Sequence, residues 1–146
     1  MFNRAHSRAG TLLVIGLTMI GLSSLVGCDG MGEVKVKIPD YASAQVRGVT
    51  LWRQAQSGEF VPQTIFELGE LVVHGGVEYV QYTVEDDRFE LGVPLAAPVT
   101  RDPDEPEALI VHLTVLTSGQ STVLKASTFN EAGESSLSTQ TTEISV

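Results

Sequence analysis

The chain has 146 residues, 42% of them hydrophobic, and eighteen acidic against nine basic side chains give it a net charge of −9 at pH 7. That balance argues against a nucleic-acid binder, which needs a basic footprint on the phosphates. The single cysteine excludes an intramolecular disulfide framework.

Arg4 and Arg8 make the start basic, and no acidic residue occurs before Asp29. From Thr11 to Val26 nearly every residue is apolar or small, including Leu12, Leu13, Val14, Ile15, Leu17, Met19, Ile20 and Leu22. The run suits a secretory h-region, falls short of the roughly 20 apolar residues of a membrane span, and has no polar face. Leu25-Val26-Gly27-Cys28 follows it. Basic start, apolar run, small residue and lone cysteine together resemble a bacterial lipoprotein signal peptide ending in its lipobox. Ordinary secretion and an uncleaved anchor are the alternatives. The resemblance implies that residues 1–27 are removed as signal peptide and that the Cys28 thiol takes a diacylglyceryl group. It further implies that the new N-terminus is acylated with a palmitate-type chain. Burying acyl chains is worth about 0.8 kcal/mol per methylene, so two or more chains anchor stably. The address implied is the bacterial cell membrane, with the protein facing the periplasm or the cell exterior. In enteric lipoproteins an aspartate in the place of Asp29 favours the inner membrane.

Gly30, Met31 and Gly32 read as a flexible linker, so residues 28–33 form a lipidated tether and 34–146 one domain. Two of the nine basic residues and none of the eighteen acidic ones precede Cys28, which leaves the mature chain at −11. Such a chain is not drawn flat onto an anionic leaflet. The lipoprotein resemblance implies membrane lipid as its partner, through acylated Cys28, and an unknown envelope protein or glycan besides.

Periodicity favours strands throughout the domain. Val34-Lys35-Val36-Lys37-Ile38 alternates strictly, as a half-buried or edge strand does. Val46 to Trp52 places Val49 and Leu51 on one face. Phe60 to Phe66 is interrupted by Pro62. Leu68 to Val73 and Val77 to Val84 flank Gly75-Gly76, a hairpin turn pair. Phe89 to Val93 reads as a short strand. Pro94 to Pro106, with four prolines, reads as the longest loop, a solvated crossing between two sheets. Leu109 to Leu116, Thr122 to Phe129 and Leu137 to Val146 complete the set. Turn signals at this spacing indicate a sandwich or barrel.

Leu116-Thr117-Ser118-Gly119, the alternation of Leu124, Ala126 and Thr128, and the stretch Phe129-Asn130-Glu131-Ala132-Gly133-Glu134-Ser135 are similar to the end of a fibronectin type III domain. Thr122 stands where that family usually has a tyrosine. Trp52 lies in a segment only loosely like the family's second strand. The resemblance implies an all-β, antiparallel, immunoglobulin-like (fibronectin type III-like) β-sandwich following the signal peptide. Asn130 and Gly133 are residues that accept turn conformations, including positive φ.

Chemistry is sparse. His74 and His112 stand alone, His74 beside the Gly75-Gly76 turn and His112 turned outward between Val111 and Leu113. Neither has ligand spacing for a metal. No Gly-x-Ser-x-Gly elbow occurs, and Ser135, Ser136 and Ser138 have no histidine near them in sequence. Two acidic clusters, Glu85-Asp86-Asp87 and Asp102-x-Asp104-Glu105, the second extended by Glu107, stand out; the Glu85 to Asp87 and Asp102 to Glu105 groups could supply calcium with oxygens, but neither follows the calcium-loop pattern. No cofactor is expected. These clusters are instead the candidate interaction surface of a non-catalytic module that contacts an envelope protein or glycan. The alternative is an accessory subunit or carbohydrate-binding module of an envelope enzyme or transport system.

Overall fold

The computed structural model describes residues 16–18, 31–85, 95–116, 121–138 and 141–144. Among them every regular element is a β-strand, and every strand pairing is antiparallel. The strands are β1 (Gly16–Thr18), β2 (Met31–Ile38), β3 (Gly48–Gln54), β4 (Phe60–His74), β5 (Val77–Glu85), β6 (Leu95–Arg101), β7 (Leu109–Leu116), β8 (Thr122–Asn130), β9 (Gly133–Glu134) and β10 (Thr142–Ile144). Their order is β1-β2-β7-β6-β5-β4-β3-β8-β10, with β9 paired to β8.

Alternation sends one face of each long strand inward. Val34, Val36 and Ile38 of β2 join Val49 and Leu51 of β3, Phe66 of β4, and Val80, Tyr82 and Val84 of β5. Ala97 and Val99 of β6, Leu109, Val111, Leu113 and Val115 of β7, and Leu124 and Ala126 of β8 complete the same core. Distant strands can share one core only because the sheet curls over on itself. Phe66 and Tyr82 meet edge to face, 5.6 Å between centroids. An all-β antiparallel fold is therefore what the domain adopts.

Several elements differ from the periodicity reading. Pro94 to Pro106 is not one loop, because Leu95–Arg101 forms β6. Leu95 to Pro98 pair with β5, and Val99 to Arg101 pair with β7. The strand changes neighbours at Pro98, a residue with no N–H to donate. The crossing is thus a strand, and its prolines hid the alternation of Leu95, Ala97 and Val99. Pro62 does not break β4. The chain absorbs it at a register shift where Trp52 faces Pro62. Leu137 to Val146 is not one strand: among its described residues only Thr142–Ile144 is strand, and Ser135 and Ser138 hold the preceding stretch to β8. β2 already begins at Met31, inside the stretch read as tether. Phe89 to Val93 lies outside the described residues.

The hairpin expectations hold. His74 pairs with Val77, and Gly75 and Gly76 have φ of 59° and 79°, the positive pair that a two-residue type I′ turn needs. Asn130 pairs with Gly133, whose φ is 136°. Asn130 shapes that turn with its side chain: its Oδ1 accepts from the Ala132 N–H, and its Nδ2 donates to the Ala44 carbonyl.

Candidate functional site

The lipobox residues Leu25, Val26, Gly27 and Cys28 lie outside the described residues, as do Asp86 and Asp87. Among the described residues of the acidic surface, the fold separates Glu85 from the cluster of Asp102, Asp104, Glu105 and Glu107. Glu85 closes β5 at one end, whereas Arg101, beside Asp102, reaches Glu78 near the other end of the same strand. Seven residues of extended chain separate Glu78 from Glu85, roughly 23 Å. Glu85 therefore does not share one continuous face with the Asp102 cluster.

The cluster after β6 is largely committed to the fold. Lys37 of β2 donates to Asp102 at 2.8 Å and lies 3.2 Å from Glu105. The Asp104 N–H donates to the second Asp102 oxygen at 2.9 Å. These bonds hold the Asp102 carboxyl below its usual range, Lys37 first and the Asp104 backbone next, and the same contact with Asp102 raises the Lys37 ammonium. Arg101 grips both Glu78 oxygens at 3.0 Å and donates to the Pro106 carbonyl. That fork lowers the Glu78 carboxyl and raises Arg101. Asp104 and Glu107 stay exposed, with the Glu107 carbonyl accepting from the Tyr41 N–H. The loop is thus a docked ion-pair network whose outer carboxylates face water.

His112 does face outward, and it is not alone. Its Nδ1 lies 2.9 Å from a Glu33 oxygen and its Nε2 lies 3.2 Å from the Thr100 hydroxyl. Hydroxyl, imidazole and carboxylate stand in the order of a nucleophilic triad. They also occupy adjacent positions on β6, β7 and β2, so ordinary cross-strand packing accounts for the contacts. Sequence spacing hid the group, because 79 residues separate Glu33 from His112. His74 is exposed beside its turn. Among the described residues no group of three or more His, Cys, Asp or Glu side chains comes together that could hold a metal ion.

Trp52 turns away from the core. It shares the outer face with Lys125, donates its indole N–H to the Ser127 hydroxyl at 2.8 Å, and Ser127 donates in turn to Glu134 at 2.6 Å. Lys125 sits 4.8 Å over the Phe60 ring. Large apolar side chains are exposed mainly at the end of the β4–β5 hairpin: Leu71 is 40%, Val73 69% and Val77 45% exposed.

The chain matches no protein-family model, and neither a curated protein nor a solved structure is found similar to it.

Proposed function

We propose that this chain is a bacterial envelope lipoprotein, anchored through acylated Cys28, whose domain works by non-catalytic protein contact. The observation that carries the reading is the lipobox Leu25-Val26-Gly27-Cys28 at the end of a basic-then-apolar leader, with β2 starting at Met31. Residues 28–30 span at most about 10 Å, so the Met31 end of the domain lies next to the anchor. The Leu116 end of β7 and the Glu85 end of β5 share that end, and the Asp102 loop and the Gly75-Gly76 turn lie at the other.

Cleavage before Cys28 would also remove β1 from the sheet, where Gly16–Thr18 pairs with Thr18 opposite Lys35 and Gly16 opposite Lys37. β2 would then be an edge strand, and its outward Glu33, Lys35 and Lys37 are side chains that discourage unwanted pairing at an edge. The strand order supports an immunoglobulin-like sandwich. Without β1, β2-β7-β6 and β5-β4-β3-β8-β10 follow the neighbour order B-E-D and C″-C′-C-F-G of a variable-type domain, continued here across β6. A filled core of this kind leaves loops, edges and outer faces for binding, which favours a protein partner over a small molecule.

The test is metabolic labelling with a radioactive fatty acid. Wild-type protein takes up label and migrates as the processed form. Cys28→Ser takes up none and accumulates as precursor. An unlabelled wild type with a free Cys28 thiol overturns the proposal.

A further inference from the structure

We infer that the free edge of β4 at Glu70 to His74 is a self-association site, where a second copy of this chain pairs antiparallel and continues the sheet. β4 has fifteen residues, but β3 covers only Phe60 to Glu67 of it. The Leu68 N–H still reaches the Arg47 carbonyl, and the Tyr41 hydroxyl reaches the Gly69 carbonyl at 3.4 Å. Beyond that point β5 flanks one side, and no other described strand lies along the opposite side. A register shift between Leu68 and Leu71 swings the hairpin out there.

Leu71 and Val73 are exposed at this edge between Glu70 and His74, and the stretch Leu68 to His74 contains no lysine, arginine or proline. β2, by contrast, carries Lys35 and Lys37 facing outward. An uncovered strand without those guards is a template for another strand. The segment is also self-complementary. Antiparallel pairing centred on Val72 sets Leu71 of one copy opposite Val73 of the other, and Glu70 opposite His74, with each contact made twice. Both copies use the same edge, so the pair closes; pairing this edge with a different edge would leave edges open for fibres. Of the carboxylates at this edge, Glu78 on β5 is paired with Arg101, and Glu70 stands opposite His74 of the other copy rather than opposite a second carboxylate. The two-fold axis crosses the strands, so the two Met31 ends point apart, and copies held in one membrane lie along it. The inference takes from the proposed function only that the domain acts by protein contact, and it needs no lipid.

The test is disulfide trapping in the full chain, solubilised in mild detergent and oxidised. Opposed Val72 positions bring their Cα atoms to about 4.5–5.5 Å, within disulfide reach. Val72→Cys should give a disulfide-linked species of twice the chain mass, at least ten-fold above Thr114→Cys, an exposed position on β7. Adding Val73→Lys should lower that yield at least ten-fold, and a lysine at so exposed a site leaves folding intact. Sedimentation of chains with no added cysteine should agree, with wild type dimeric and Val73→Lys monomeric. Three results overturn the inference: equal trapping at positions 72 and 114, trapping unaffected by Val73→Lys, or a trapped species holding a different protein. Wild type in parallel carries only Cys28, so a disulfide there reports a free Cys28 and counts against the lipid anchor alone.

Discussion

At the scale of single residues, the tightest constraint is Gly48. It opens β3 opposite Glu67 and Phe129, and a Cβ there would run into the Phe129 ring and the Phe66 carbonyl. The ring could swing aside, but the carbonyl belongs to the β4 backbone and cannot. Gly48→Ala should therefore destabilise the domain by about 1–3 kcal/mol, as overpacking does; urea denaturation followed by tryptophan fluorescence measures it. The serines show the opposite economy of space. The Ser138 hydroxyl accepts from the buried Ala126 N–H at 3.0 Å, and the Ser135 hydroxyl accepts from Thr128 at 2.9 Å. Both hydroxyls replace ladder partners where no strand is formed. Their sequence showed only short polar residues after a turn, because the groups they satisfy lie on another strand.

At the scale of elements, the β8–β9 hairpin was legible and the β5–β6–β7 crossing was not. The hairpin depends on local backbone chemistry. Asn130 and Gly133 stand at fixed spacing, and Gly133 holds its φ of 136° with open space where a side chain would go. A substitution there is opposed by the backbone angle alone. Gly133→Val should cost about 1–3 kcal/mol, and its effect on thermal unfolding should exceed that of Ala132→Val, one residue away and exposed. Equal effects would mean that the positive φ carries no strain. β6 depends on tertiary contacts. Pro98 within it, Pro94, Pro103 and Pro106 around it and its charged end read as loop, and only the neighbours supplied by β5 and β7 make Leu95–Arg101 a strand. β4 illustrates the same point, since Pro62 is accommodated by a partner strand that shifts register beside it.

At the scale of the whole molecule, charge and pairing set the response to pH. Asp102 and Glu78 both hold carboxyls below their ordinary values of 3.8 and 4.5. A group lowered in this way contributes stability above its unfolded value and loses it as pH falls through the lower, folded value. Lys37 and Arg101 are raised, so their contributions are fully present through neutral pH and persist to the alkaline side of their ordinary values. Stability should be level through neutral pH and fall below about pH 4.5. Asp102→Asn should flatten the acid limb of denaturant midpoint against pH; a limb as steep as wild type would show that the Lys37 pairing is not coupled to folding. Asp102 ties the loop after β6 to β2, 65 residues earlier in the chain, so this response belongs to the closed fold and not to a local turn.

By itself, the sequence determined what repeats at short range: all-β antiparallel architecture, the alternating core positions of β2, β3 and β7, and the two glycine turns. Period-two alternation and positive-φ residues act over a few neighbours, so they survive in a linear reading. Tertiary structure alone decided the rest. It separated Glu85 from the Asp102 cluster by the length of β5, joined Asp102 and Glu105 to Lys37, and set Glu33, His112 and Thr100 side by side. It also left the far part of β4 without a neighbour while covering the near part with β3. Each of these outcomes depends on which strand lies beside which, and strand neighbours are chosen by closure of one shared core, a long-range choice that no local pattern carries.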